Sequence, residues 1–362
     1  MSNISLINRK DCTGCKACRD VCNFGAISIK KAGFGFEYPA VDNSKCTDCG
    51  RCLSCCPVHD AKIKEESPEH FYGFKAKEDK IRFNSSSGGI FPLMADEIIK
   101  CGGVVAGAEL CADGRVRHVI VDSCKDIAKI TKTKYVQSET EGIYNEIFGI
   151  LKEGKSVLFI GTPCQTEALG KIAGNFSEKL ILADLICYGV PSPQIWTGYI
   201  HYLEKRYGGK FESFSFRDKR EHDSGHTAVL TTDKGEYPCS LYKDKYCKTY
   251  FKNINIRESC FNCRFTHTKR NSDITIGDFW GIENICPGFD DKMGTSLVII
   301  HSEKGEDLFK KIRSLGEYFE CKEEDVLQPR LKGPTSPHRH RNIYKFLYKS
   351  LPFDIWLKIA GR

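Results

Sequence analysis

The sequence predicts a mixed α+β and α/β protein in two unequal parts followed by a tail, and three observations predict it. Nine of the 20 cysteines lie within the first 56 residues, eight of them in two runs of identical spacing. Strand-like and helix-like segments then alternate from about residue 70 to residue 330. From Arg339 onward, basic residues are interleaved with large apolar ones. These features divide the chain into residues 1–66, residues 70–330 and a tail of residues 331–362. The polar stretch Lys62-Ile63-Lys64-Glu65-Glu66-Ser67-Pro68-Glu69 reads as the link between the first two.

Composition sets the bounds. With 362 residues, 41% hydrophobic and 11% aromatic, the chain can bury a sizeable core, which excludes a disordered protein. No apolar run approaches the roughly 18 residues that a membrane span needs, and the N-terminus lacks a signal peptide's pattern. The expected compartment is therefore the cytoplasm. Thiols there are held reduced, so 20 cysteines point to metal or redox chemistry and not to a disulfide framework. The formal charge of +7 does not mark a nucleic-acid binder. Six bases and one acid after residue 337 carry +5 of it, leaving the body nearly neutral.

In the first part, Cys12, Cys15, Cys18 and Cys22 are spaced CxxCxxCxxxC. Cys46, Cys49, Cys52 and Cys56 repeat that spacing 34 residues later, followed by Pro57. Three cysteines at every third position wrap a short loop around one 4Fe-4S cubane, and the fourth reaches across to the other, as in bacterial two-cluster ferredoxins. The expected sets are Cys12, Cys15, Cys18 with Cys56, and Cys46, Cys49, Cys52 with Cys22. Zinc sites also use CxxC pairs, but a zinc ion takes four ligands and has no use for three at this spacing twice over. Asn23 stands where proline is usual, and Cys55 competes with Cys56 as fourth ligand. Few large apolar residues lie outside Phe24, Ile27, Ile29, Phe34 and Phe36, so the clusters themselves should serve as the core of this small unit.

In the second part, strands are expected at 103–110, 116–121, 156–160 and 180–186, then around 211–216, 227–231, 274–276 and 297–300. Helices are expected at 90–100, at 165–172 and from Pro193 to about Tyr207. Ser138-Glu139-Thr140-Glu141 reads as a capping box opening a further helix to about Lys152.

Four features there can carry chemistry. Asn84-Ser85-Ser86-Ser87-Gly88-Gly89 precedes a helix and offers hydroxyls, backbone N–H groups and the positive end of a helix dipole, which suits a phosphate; plain loops share this composition. Gly161-Thr162-Pro163-Cys164-Gln165 and Asp184-Leu185-Ile186-Cys187-Tyr188-Gly189 each follow a strand, where α/β sheets collect ligands. Cys260-Phe261-Asn262-Cys263 supplies two more thiols. Together Cys164, Cys187, Cys260 and Cys263 are enough for a third cluster, a zinc site or unrelated buried thiols. Cys101, Cys111, Cys124, Cys239, Cys247, Cys286 and Cys321 have no ligand spacing and read as structural.

These segments, with Lys134-Tyr135-Val136-Gln137-Ser138 and Gly277-Asp278-Phe279-Trp280-Gly281, resemble the family of coenzyme F420 hydrogenase/dehydrogenase beta subunits over residues 1 to about 330. The resemblance implies a ferredoxin-like N-terminal domain joined to a larger mixed α/β flavin-binding domain. It implies that Ser86, Ser87, Gly88, Gly89, Lys134, Tyr135, Gln137 and Ser138 hold FAD, and that Cys164, Cys187, Cys260 and Cys263 ligate a 4Fe-4S cluster close to it. Tyr188 stands where the Cys-His-Gly form common to relatives has histidine, so the Cys187 thiol is kept while a phenol takes the place of the imidazole.

A flavin exchanges two electrons at once and a cluster one, so the expected function is an iron-sulfur flavoprotein oxidoreductase. It would link a small-molecule hydride donor or acceptor, coenzyme F420 among the candidates, to an external electron carrier or redox partner protein. Asp278, Tyr188 and His226 are the candidate acid-base residues. Two alternatives stand beside this reading: a non-catalytic ferredoxin-type carrier without flavin, and an FAD-dependent reductase of an unsaturated or sugar-linked metabolite. The tail, with Ile343, Phe346, Leu347, Leu351, Phe353, Trp356 and Ile359 among its bases, reads as an amphipathic helix broken near Pro352. It is suited to a peripheral membrane contact or to packing on its own domain.

Overall fold

In each cysteine run of the first part, three closely spaced thiols precede or enter a single helical turn, Ala17–Asp20 and Arg51–Ser54. The chain enters both turns through a left-handed residue, Lys16 at φ 61° and Gly50 at φ 76°. Between the runs, β1 (Ile27–Ala32) and β2 (Phe36–Val41) pair as an antiparallel hairpin. The computed structural model describes residues 2–60, 70–220 and 225–362; the link expected at 62–69 lies outside the described residues.

The larger part is built on eleven strands: β3 (His70–Ala76), β4 (Val104–Leu110), β5 (Val116–Val121), β6 (Val157–Gly161), β7 (Leu180–Leu185), β8 (Phe211–Asp218), β9 (Thr227–Thr232), β10 (Gly235–Ser240), β11 (Ile274–Asp278), β12 (Ser296–Ile300) and β13 (Gly316–Cys321). Eight form one sheet in the order β13-β3-β12-β11-β7-β6-β4-β5, and β8, β9 and β10 form a second. The centre of the large sheet, β4, β6, β7 and β11, is parallel, while β5, β12, β3 and β13 add antiparallel flanks. Because the parallel strands all run the same way, their carboxyl ends gather on one edge, where loops can converge without obstructing the ladder.

Both faces of the sheet are covered, as a parallel centre requires. Along β6, Leu158 and Ile160 join a core with the helices Ile90–Lys100 and Glu303–Ile312. Val157 and Phe159 face the other way, toward the helices Ile143–Lys152 and Pro163–Ala173. That second core continues without a break into the first part through Ile4, Ile27 and the thiols of Cys15, Cys18 and Cys56. A third core, around Trp196 and Trp356, takes in Phe34 and Phe36 from the β1–β2 hairpin.

Two expectations need correction, and the tail follows one of the two readings given for it. The capping box at Ser138 does not form: the helix starts at Ile143 after Gly142, which is left-handed at φ 86°. The Ser138 hydroxyl instead accepts from the Gln165 amide. Strands β3, β10 and β13 were not expected. β3 is buried on both faces and so lacks the alternation that marks a half-exposed strand. The tail forms two helices, Arg341–Ser350 and Phe353–Ala360, and packs on its own protein. Trp356, Leu357 and Ala360 are fully buried, and Arg341 donates to the carbonyls of Ile254 and Ile256. The residues that would have entered a membrane are therefore largely occupied, although Ile343, Phe346 and Ile355 stay exposed. Among the described residues, no helix is long and apolar enough to cross a membrane.

Candidate functional site

The twelve cysteines of the ligand runs fall into three groups of four, each around its own cavity. Cys12, Cys15, Cys18 and Cys56 line one, and Cys22, Cys46, Cys49 and Cys52 line a second, so the fourth thiol of each run does cross to the other. Cys55 lines neither; its thiol donates to the Cys52 carbonyl at 3.5 Å, and burial pushes it up to about 12. Cys164, Cys187, Cys260 and Cys263 line the third. Among the described residues, no three His, Cys, Asp or Glu side chains converge on a point as a single metal ion requires.

Each thiol of the third group is positioned by the edge of the parallel sheet. Cys164 begins the helix after β6, whose N-terminus is closed by reciprocal bonds between Thr162 and Gln165; the Thr162 hydroxyl lies 3.2 Å from the Cys164 sulfur. Cys187 follows β7 by two residues. Cys260 and Cys263 belong to a loop tied to the strand ends twice. The Arg257 N–H donates to the Val190 carbonyl, and Arg270, just past the loop, forms a buried ion pair with Asp184 of β7 at 3.1 Å. Burial pushes the Cys164 thiol up to about 11 and Cys260 to about 12, and the neighbouring thiols push the same way.

The first and third groups are neighbours: Cys15 is raised by burial foremost and also by the nearby Cys164. The junction is held by buried bonds. Arg257, 1% exposed, donates to the Cys12 carbonyl at 2.8 Å, the Glu37 carbonyl at 2.6 Å and Gln137 Oε1 at 3.0 Å, with Nη2 3.8 Å from the Cys12 sulfur. Its guanidinium stacks over Tyr38. A Cβ at Gly14 would stand 2.5 Å from that guanidinium. Thr140 donates to the Cys15 carbonyl, Lys16 pairs with Glu139 and Glu37, and Lys171 donates to the carbonyls of Cys56 and His59.

A cleft of about 320 Å³ opens beside the third cavity and shares its wall: Thr162, Cys187, Tyr188, Gly189, Val190 and Arg330 line both. At its other end stands the start of the helix Ile90–Lys100, entered through Gly89 at φ 89°. Of the residues expected to hold a flavin, Ser86, Ser87, Gly89, Lys134, Tyr135 and Ser138 line this cleft. Ser86 accepts from the Thr133 N–H and Ser87 donates to the Thr295 carbonyl, while Lys219 donates to the carbonyls of Arg82, Ser87 and Met293, so the loop is built before any ligand arrives. Gly88 lies behind it, where a Cβ would collide with the Phe74 carbonyl. Gln137 points away from the cleft and donates to the carbonyls of Thr13 and Gly14, so it serves the junction and not the flavin.

Among the candidate acid-base residues, Asp278 lines the cleft in an ion pair with Arg217 at 2.6 Å. Tyr188 stands at the shared wall, edge-on to Tyr250 and under Arg330. His226 is not on the cleft; it stacks on Tyr242. Sequence reasoning missed two titratable groups. Burial pushes Lys134, already named as a binding residue, down to about 7, while its Nζ donates to the carbonyls of Lys129 and Thr131. His118 is buried and pushed down to about 4. Its Nε2 lies 3.0 Å from the Ile160 carbonyl and must carry the proton, which leaves the buried Nδ1 as a bare acceptor with no partner among the described residues. A buried unpaired acceptor in a cleft fits a bound cofactor.

Residues 154–326 match the family described as the C terminus of the coenzyme F420 hydrogenase/dehydrogenase beta subunit, and residues 11–59 match the 4Fe-4S dicluster domain. One of the subunits of F(420)H(2) dehydrogenase from Methanosarcina mazei is 26% identical over 336 residues, 87% of this chain and 86% of that protein. Coenzyme F420-dependent sulfite reductase of Methanocaldococcus jannaschii is 25% identical over 360 residues, 95% of this chain, which spans 53% of that relative's length. A chain of the F420-reducing NiFe hydrogenase complex from Methanosarcina barkeri is similar with a TM-score of 0.49 at 17% identity, over 81% of this chain and 91% of that one.

Proposed function

Since the chain belongs to the family of coenzyme F420 hydrogenase/dehydrogenase beta subunits, we propose that this iron-sulfur oxidoreductase passes electrons between a small-molecule substrate at FAD in the cleft and three 4Fe-4S clusters. Cys164, Cys187, Cys260 and Cys263 ligate the cluster beside the cleft, and the eight N-terminal cysteines of the two runs ligate the others. The observation that carries this reading is continuity. The cleft shares a wall with the third cavity, and Cys164 of that cavity neighbours Cys15 of the first. When bound, FAD supplies two-electron chemistry and the clusters single-electron transfer.

The protein's own residues do the rest. The helix start at Gly89 and the Ser86–Ser87 loop receive the diphosphate through backbone N–H groups and the helix dipole. Lys134, whose Nζ donates to the Lys129 and Thr131 carbonyls, braces the cleft wall, and Asp278 keeps Arg217 fixed there. The outermost thiols, around Cys49, face a redox partner protein, in keeping with a relative that is itself named as a subunit. The substrate is a reduced deazaflavin such as coenzyme F420, in line with the names of the relatives.

The test is iron, sulfide and flavin per chain in protein purified without oxygen, followed by addition of reduced coenzyme F420. About 12 iron and one FAD, with bleaching of the flavin on addition, is the expected result. About eight iron and no flavin after reconstitution would leave a ferredoxin-type carrier. Flavin that ignores the deazaflavin would point to another reducible metabolite.

A further inference from the structure

In the cleft, two side chains from a segment outside every recognisable motif keep polar atoms that the described residues leave unpaired. Gln328 is 8% exposed, and its Oε1 is buried with no hydrogen-bond partner. Arg330, two residues on, stands over the Tyr188 ring with its guanidinium carbon 5.2 Å from the centroid, and its Nε and Nη1 are likewise buried and unpaired. Both residues line the cleft, and Arg330 also lines the cavity of Cys187 and Cys263. A stacked guanidinium has a packing role already, but packing does not account for two buried donors beside a buried acceptor. Such groups are expensive to leave unmade, and the protein does not satisfy them.

Their complement is a ligand that presents an N–H next to carbonyl oxygens in one plane. Guanidinium donors meet a carbonyl oxygen, and the amide oxygen of Gln328 accepts the N–H. That is the imide edge of the pyrimidine ring carried by flavins and deazaflavins alike. We propose that Gln328 and Arg330 bind this edge and so hold a tricyclic ring against Tyr188, at the end of the cleft next to the third group of thiols. The proposal rests on the reading of the cleft as a flavin site. It adds the residues that orient the ring, at the opposite end from the Ser86–Gly89 loop. The ring is either the resident flavin or a deazaflavin substrate, since both carry the same edge.

The experiment measures the dissociation constants of FAD and of oxidised coenzyme F420 for the full-length protein, with N3-methyl FAD as the probe that lacks the N–H. Wild type is compared with Gln328→Met and Arg330→Lys, and iron per chain reports folding. If the resident flavin is the ligand, both variants weaken FAD by about tenfold or more at unchanged iron, as loss of one hydrogen bond worth a factor of ten predicts. Wild type then rejects N3-methyl FAD while Gln328→Met no longer distinguishes it. If the deazaflavin is the ligand, FAD affinity holds and coenzyme F420 weakens instead. Unchanged constants for both compounds in both variants would overturn the subsite and leave the flavin reading standing. A wild-type protein that binds neither compound would overturn both.

Discussion

The two N-terminal cysteine groups share one spacing and occupy opposite surroundings. Of the inner four, Cys15, Cys18 and Cys56 are buried and Cys12 is half-exposed, with their cavity pressed against the larger part, whereas of the outer four only Cys52 is buried, Cys49 is exposed and Cys22 and Cys46 are half-exposed. Around the inner group stand Arg257, Lys16 and Lys171, each bonded across the junction. Around the outer group, Phe24 is 51% exposed and lines the cavity. A repeat in sequence has thus become an inward terminal and an outward one. The fold distinguishes them through what the second part of the chain supplies: buried cations for one, solvent for the other.

The largest effect that tests this contrast comes from removing a ligand on each side. Cys15→Ser should cost about four irons and also loosen the junction, because that thiol belongs to the core shared by both parts. Cys49→Ser should cost about four irons with the junction intact. Iron content read beside limited proteolysis of the first 60 residues separates the two, and equal proteolysis in both variants would erase the distinction. Next comes Arg257→Gln, which removes a charge-assisted contact near the Cys12 sulfur. A loss of about 1.5–3 kcal/mol corresponds to a drop on the order of 60–130 mV in the potential of the inner cluster. Potentiometric titration followed by electron paramagnetic resonance should show the inner cluster's signal moving, the signal of the third group moving with it because the same cation also acts on Cys164 and Cys260, and the outer cluster's staying put. Lys171→Met removes two hydrogen bonds to the inner loop and should lower stability by about 1–3 kcal/mol, read as a fall in Tm. The smallest effect is expected from Cys55→Ser: full iron and a stability change below about 1 kcal/mol, since a hydroxyl can still donate to the Cys52 carbonyl. Loss of iron there would make Cys55 a ligand in place of Cys56.

Local chemistry was legible where it is local. The cysteine spacing led to the crossed grouping, and the apolar periodicity of residues 90–100 matched the helix. The parallel centre followed from strand-helix alternation, which β4, β6 and β7 keep. What escaped is non-local. β3 pairs with β12 and β13 across more than two hundred residues, and nothing within its seven residues announces those partners. Gln137 sits in a segment that otherwise lines the cleft, and only the docking of the first part turns it the other way. Gln328 and Arg330 carry no motif. Their one signal is an unpaired atom, which exists only once the surrounding walls are in place. The Ser138 capping box failed for the same reason, since Gln165 of another element had claimed its hydroxyl.

Gly14 gives the joint between the two parts a kind of compatibility code. Its φ of 71° and the guanidinium that a Cβ would meet each exclude ordinary side chains, so the residue before Cys15 is specified in part by a position 243 residues away. The N-terminal unit is consequently not an interchangeable cartridge. A two-cluster module transplanted from another protein would keep its clusters yet fail to seat unless it brought a glycine at that place, and Arg257 restricts which electron carriers this scaffold can be fused to.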